Sequence, residues 1–343
     1  MIDEIDREYF GRIGDDLIYR FRLYNRRGNG RYAMVDVITY GGAITSLWAP
    51  DRYGAYGDIV LGFGSIEDYT SNPLYFGALI GRHANRIAQG RFTLDGVEYQ
   101  LPRNDGENHL HGGFRGFDKR IWTAKEGDGA LHLSYFSKDG EEGYPGNVEA
   151  FVDYRVLDDG LSIEYRATSD RDTIVNLTNH SYFNLKGEGT ILKHELTLNA
   201  DRFTPVNDDL IPTGEIAPVS GTPMDFRHGR AIGSEISAIG GYDHNFCLND
   251  WDGSLRSAVR LHEPVSGRVL EILTTEPGMQ FYSGNFLDGS FSGKNGAPYV
   301  KYAGLCLEPQ HYPDAPNHSN FPSTVLRAGE EYRQTSVYRF SAD

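Results

Sequence analysis

The chain has 343 residues, enough for two ordinary domains or one large β domain, and enough to bury a substantial core. Its 33 basic and 48 acidic residues give a formal net charge of −15, which makes it a poor general binder of nucleic acid or of anionic membrane and favours a neutral ligand. No uncharged apolar run is long enough to span a bilayer, and the two cysteines, Cys247 and Cys306, are too few for a disulfide framework and read as buried free thiols.

The start, "MIDEIDREYF", has no basic stretch followed by an apolar core, so it does not read as a signal peptide, and a cytoplasmic location is expected. In "LIYRFRLYN", Tyr19, Phe21 and Leu23 alternate with Arg20 and Arg22, the period of a half-buried strand. A turn in "NRRGNGR" leads to "YAMVDVITYGG", where Val35 and Val37 flank Asp36. "SIEDYTS" is one of two short stretches with helical periodicity; the other is "SEISAI". "GRFTLDGVEYQL" predicts a hairpin, with Phe92 and Leu94 before the Asp95-Gly96 turn and Val97, Tyr99 and Leu101 after it. "VEAFVDYRVLDDGLSIEYRATS" repeats that grammar around Asp159-Gly160, and Tyr338 and Phe340 bracket Arg339 in a last strand. The 41 glycines, 22 tyrosines and 18 phenylalanines suit many strands joined by tight turns. Without a Gly/Ser-rich or Pro-rich linker or a fixed-period repeat, one all-β domain over 1–343 is predicted.

Five polar segments interrupt the strand pattern: "GRHANRIAQG", "NDGENHLHGGFRGFDK", "NLTNHSYFNL", "GGYDHNF" and "LEPQHYPDAPN". In the last, Tyr302 to Leu307 reads as an apolar strand, and Glu308 then stands where a hydrophobe would be comfortable. Burial makes a carboxylate costly unless it is paired, and raises its pKa toward values useful for proton transfer. Pro309 predicts that the ladder stops there. His180, among Leu177, Tyr182, Phe183 and Leu185, reads either as a satisfied core histidine or as a proton donor or acceptor. His109 and His111, two apart on a strand, would share a face and raise a metal alternative, but no cysteine pair or H-E-x-x-H helix completes a ligand set. The two are expected to divide, one toward a ligand and one into packing or solvent. Asp243 reads as a turn aspartate after Gly240-Gly241 or, with Glu308, as the second carboxylate of a glycoside hydrolase. Arg82 and Arg86 read as structural ion pairs or as groups in a closely packed polar site.

Six segments in order, "GRHANRI", "NHLHGGFRGFDK", "TNHSYFNL", "GYDHNF", "EPGMQFYSGNFLDG" and "LEPQHYPDAPNH", give a chain that resembles the aldose 1-epimerases, the galactose mutarotases, over nearly its whole length. The resemblance implies a galactose-mutarotase-like β-sandwich, a supersandwich with few short helices, that holds a monosaccharide in an open cleft on one sheet. It implies Glu308 as catalytic base and His180 as catalytic acid, with Asn85, Arg86, His111, Tyr182, Asp243 and Gln280 as sugar contacts. No metal or organic cofactor is implied, in keeping with the lack of a dinucleotide fingerprint or phosphate loop. The expected partner is the sugar, with no nucleic acid and no membrane, the protein being a monomer or homodimer.

Overall fold

Strand follows strand through residues 5–27, 30–71 and 73–343, the part of the chain that the computed structural model describes. Its two α-helices there are short, Ile66–Ser71 and Ile236–Ile239, where the helical periodicity placed them. None is long and apolar enough to cross a membrane. The largest sheet has nine strands, in the order Thr123–Gly127, Ala130–Ser137, Val148–Leu157, Gly160–Ser169, Glu331–Ala342, Arg268–Thr274, Arg256–His262, Glu195–Leu198 and Arg230–Ala231. A six-stranded sheet runs Tyr182–Phe183, Leu305–Gln310, Gly278–Tyr282, Asp243–Cys247, Arg202–Thr204 and Ala217–Pro218. A five-stranded sheet holds the first strands, from Ile5–Ile13 to Tyr56–Asp58.

Period-two alternation explains how these sheets share a core. Leu131, Leu133, Val152, Ile163, Leu270 and Ile272 of the large sheet belong to one buried cluster with Phe246, Met279, Phe281, Leu305 and Leu307 of the six-stranded sheet. Phe21, Leu23, Val35 and Val37 of the first sheet join them. Each such side chain stabilises the fold by about 1.5–3 kcal/mol, so the six-stranded sheet is fixed from one face and leaves its other face for polar groups. Asp36, flanked by two core valines, is buried because Arg22 clasps it with two hydrogen bonds of 2.7 Å. The architecture is the all-β sandwich that the sequence predicts.

The Asp95-Gly96 hairpin is present, both turn residues having positive φ (49° and 81°), as a tight two-residue turn requires. The turn expected in "NRRGNGR" falls in part on Gly28 and Asn29, outside the described residues. One expectation is corrected. The ladder does not stop at Pro309: the strand continues to Gln310, and Pro309 pairs with Met279. The opposite neighbour, Tyr182–Phe183, reaches only Cys306 and Leu305, so at Pro309 that side of the strand is an edge, where proline is tolerated.

Around the polar face the backbone is unusual. Tyr75, Asn85, His111 and Leu210 all have left-handed φ, between 51° and 61°. Such conformations cost non-glycine residues about 1–3 kcal/mol each and persist where the surroundings enforce them. Behind His111, Gly112 has φ 84°, and a Cβ there would fall on the Gly81 carbonyl oxygen. The glycine lets two loops touch backbone to backbone beneath the site. Gly112→Ala should therefore lower stability by about 1–3 kcal/mol, read as a lower urea midpoint; an unchanged midpoint would refute the close approach.

Candidate active site

Alternation along Leu305–Gln310 decides where Glu308 points. Leu305 and Leu307 enter the core, while Cys306 and Glu308 face the other way, with Glu308 in the lining of a cleft of about 480 Å³. In register beside Glu308 lies Gln280, and beside Gln280 lies Asn245; Asp243 is two residues before Asn245 on the same face. Tyr182, opposite Cys306 in the ladder, and Tyr282 also line the cleft.

The other wall comes from loops. Arg86–Ile87 pairs with His109–Leu110, and His111 donates its backbone N–H to the Asn85 carbonyl at 3.1 Å. Asn85 N–H donates in return to His111 Nδ1, also at 3.1 Å. Asn85 Oδ1 accepts from Arg86 N–H at 2.8 Å. The guanidinium of Arg86 donates from Nε to Asp105 Oδ2 at 2.8 Å and lies 3.8 Å from Asp243 Oδ2 through Nη1. Gln280 Nε2 donates to Asp243 Oδ1 at 2.7 Å. Asp243 is thus held from two sides.

His180 completes the floor. Its Nε2 lies 3.8 Å from Glu308 Oε1, and its Nδ1 lies 3.4 Å from Cys306 Sγ. The ring sits against Tyr75, His111 and Tyr182, with centroids 5.7, 5.2 and 5.1 Å away. Burial pushes the imidazole down to about 4. Burial also pushes the Glu308 carboxyl well above its usual range, helped by the charge of Asp243 and opposed by Arg86. Glu308 Oε2 and Gln280 Oε1 are buried with no hydrogen-bond partner in the protein. Each such acceptor is a place where a ligand or water hydrogen bond would be gained.

The histidines of "NHLHGG" divide, as expected. His109 is buried, with its nitrogens against Pro102 O at 2.8 Å and Tyr144 Oη at 2.7 Å, while His111 lines the cleft. A different trio, His111, His180 and Glu308, could bring three ligand atoms within 4.8 Å of one another. The tautomer of His111 opposes this. A ligating imidazole donates its distal N–H to an acceptor, whereas His111 Nδ1 accepts from Asn85 N–H, which leaves the proton on Nε2, the other nitrogen. That nitrogen is a hydrogen-bond donor, and the donor set does not fit a metal ion.

Asn85, Arg86, His111, His180, Tyr182, Asp243 and Glu308 line one cleft. Gln280 is buried beneath Asp243, outside that lining, where it braces a cleft group. Arg82 is structural, but through neutral acceptors and not an ion pair: all its donors serve the Ser137 hydroxyl and the carbonyls of Ser137, Lys138, Pro145 and Gly146, at 2.6–3.0 Å. Tyr75, Asp105 and Phe286 line the cleft without having been singled out in the sequence. Asp105 lay within a quoted polar segment, but only its contact with Arg86 distinguishes it from its acidic neighbour Glu107.

Comparison with known proteins gives a consistent answer. The aldose 1-epimerase family profile matches residues 26–339. A galactose mutarotase of Rattus norvegicus is 48% identical over 343 residues, 98% of each chain. An aldose 1-epimerase of Escherichia coli K12 is 40% identical over 94% of this chain and 96% of its own. The crystal structure of an aldose epimerase homologue from C. elegans superposes with a TM-score of 0.85 at 34% identity, covering 90% of this chain and 95% of that one.

The raised Glu308 pKa has a stability consequence. A carboxyl whose folded pKa lies above its unfolded value destabilises the fold once pH exceeds the unfolded value, and has no effect below it. Glu308→Gln should therefore stabilise the protein at neutral pH, with the gain fading toward pH 4. Urea midpoints of the two proteins across pH would test this, and a gain that did not vary with pH would contradict the assignment.

Proposed function

The chain belongs to the aldose 1-epimerase family, and we propose that it interconverts the α and β anomers of a free aldose such as galactose or glucose with Glu308 as base and His180 as acid. The observation that carries this reading is the convergence of His180 Nε2 and Glu308 Oε1, 3.8 Å apart on the cleft floor. The two oxygens that must exchange protons, the C1 hydroxyl and the ring oxygen O5, hang on the same carbon. A base and an acid that serve them must stand close together, each within about 3 Å of its own oxygen.

Glu308 takes the proton from the C1 hydroxyl while His180 gives the proton on Nε2 to O5. The C1–O5 bond breaks as the C1–O1 bond becomes the carbonyl of the open-chain aldehyde. Rotation about C1–C2 turns the other carbonyl face toward the C5 hydroxyl. Ring closure then returns one proton to His180 and one from Glu308 to O1, giving the other anomer. Asn85, Arg86, His111, Tyr182 and Asp243 are the proposed sugar contacts, with Gln280 acting through Asp243. His111, held as an Nε2–H donor, suits a sugar oxygen that must be fixed without being deprotonated.

Ring opening takes the pair from one proton on His180 to one on Glu308, and closure takes it back. No proton need come from solvent. Burial favours this one-proton state, because its charges sum to zero whereas those of the empty and doubly protonated pairs do not.

Glu308→Gln and His180→Asn should each lower kcat by roughly 10²–10⁴-fold with little change in KM, followed by polarimetry on freshly dissolved α-galactose or α-glucose. A wild-type rate in either variant removes that residue from the chemistry. The kcat profile should be bell-shaped. Its acid limb falls near pH 4, as His180 takes a proton while Glu308 already holds one and the base is lost. Its alkaline limb falls above the usual carboxyl range, as the last proton leaves. A rate that rose steadily across that range would overturn the one-proton account.

A further inference from the structure

Cys306 touches the proposed acid, yet the reaction as described gives it no part. It is fully buried, stands opposite Tyr182 in the ladder and shares a strand face with Glu308. The imidazole of His180 lies between them, with Nδ1 3.4 Å from Cys306 Sγ and Nε2 3.8 Å from Glu308 Oε1. We propose that Cys306 is a positioning residue whose sulfur accepts the Nδ1–H of His180 and so reserves Nε2 for the proton exchanged with the ring oxygen. This rests on the reading of His180 as the acid.

The cycle demands that tautomer. The imidazolium carries both protons, and when Nε2 gives its own to O5 the neutral ring must keep the one on Nδ1. Only then does Nε2 present a lone pair to recover the proton at ring closure. The partner at Nδ1 must therefore accept throughout. His111 shows the opposite case: the Asn85 N–H donates to its Nδ1 and fixes the proton on Nε2. At His180 a sulfur, which can accept, takes that place, 3.4 Å from Nδ1. The two histidines of one cleft are thereby set in opposite tautomers by what stands behind them.

Why sulfur serves better than a stronger acceptor is visible at His311. There a carboxylate, Glu276 Oε2, lies 2.6 Å from Nδ1, and that buried histidine is pushed above its ordinary pKa. A histidine so supported holds its proton too firmly to be a good acid. Thiol sulfur is a weak acceptor, so it orients the ring while adding little support to the charge, and His180 stays a strong acid.

The test combines kinetics with the ¹⁵N signature of His180, which separates Nδ1–H from Nε2–H imidazole. In the wild type the neutral imidazole of His180, the form that burial favours well above pH 4, should show a single Nδ1–H tautomer; an Nε2–H pattern would end the proposal without any variant. Cys306→Ala should mix the tautomers and lower kcat about tenfold, the low end of what losing a histidine's outer partner costs, with KM little changed. Cys306→Ser, which keeps an acceptor, should restore one tautomer and most of the rate. Wild-type kcat and a pure Nδ1–H pattern in Cys306→Ala would overturn the idea, as would a Cys306→Ser variant as slow as Cys306→Ala with its tautomer intact. His180→Asn, assayed alongside, keeps the two readings apart. An active His180→Asn removes the acid itself, whereas an inactive one beside an unaffected Cys306→Ala removes only the positioning role.

Discussion

Taking water away from the His180–Glu308 pair is the constraint on which the rest of this site depends. Desolvation penalises charge of either sign, so it lifts the carboxyl and depresses the imidazole at once. Separately, each shift looks adverse, since a base is made harder to ionise and an acid harder to charge. Together they favour the state in which the two groups hold one proton between them. In the proposed reaction, ring opening and closing moves that proton balance from one partner to the other and back, at constant total charge. A dry site is therefore compatible with ionic catalysis here, because no step changes its charge.

That arrangement works only if the two side chains stay in place while a sugar comes and goes, and the scaffold supplies this on two levels. Glu308 is borne by a strand whose alternate residues, Leu305 and Leu307, are locked in the core. His180 is held by its backbone: its N–H donates to the Ala78 carbonyl and its carbonyl accepts from Gly77 N–H, each at 2.9 Å. The loop wall is fixed differently, by left-handed residues at Tyr75, Asn85 and His111 and by the reciprocal hydrogen bonds of Asn85 and His111. Strain gathered on one wall of a cleft whose floor is a rigid sheet is the pattern of a preorganised site.

Much of this was legible in the sequence. The apolar run before Glu308 marked it as a carboxylate pressed against hydrophobes, and the aromatic setting of His180 marked a partly dry imidazole; the face on which Glu308 stands came from the ladder. The hairpins at Asp95-Gly96 and Asp159-Gly160 and both short helices followed from alternation and turn residues. Pro309 misled because a proline blocks a ladder only where a partner strand needs its N–H, and strand neighbours are a property of topology. Tyr75 and Asp105 could not be found because their roles come from contacts across the cleft wall. The place of Gln280 behind Asp243, outside the cleft lining, depends on a diagonal contact between strands. Tautomers are the least legible of all. Whether an imidazole gives or takes a hydrogen bond was settled at His111 by one backbone amide, and no residue pattern encodes that.

Division of labour within the cleft explains why the neutral-ligand expectation drawn from net charge also fits the local chemistry. In the proposed reaction the floor addresses only C1 and O5, atoms that every free aldose presents alike, and the walls are left to read the other hydroxyls. The one guanidinium of those walls, Arg86, stands between the carboxylates of Asp105 and Asp243. Its charge is balanced twice over, so it offers directed N–H groups with little surplus positive field. Glu107, Asp208 and Asp209 add further acids to the rim. Such a cleft has donors and acceptors in abundance for hydroxyl groups, but among the described residues its lining holds no cationic cluster with which to compensate a phosphate. Discrimination among neutral sugars must then come from hydrogen-bond geometry on the walls, leaving the acid–base pair indifferent to which aldose it opens.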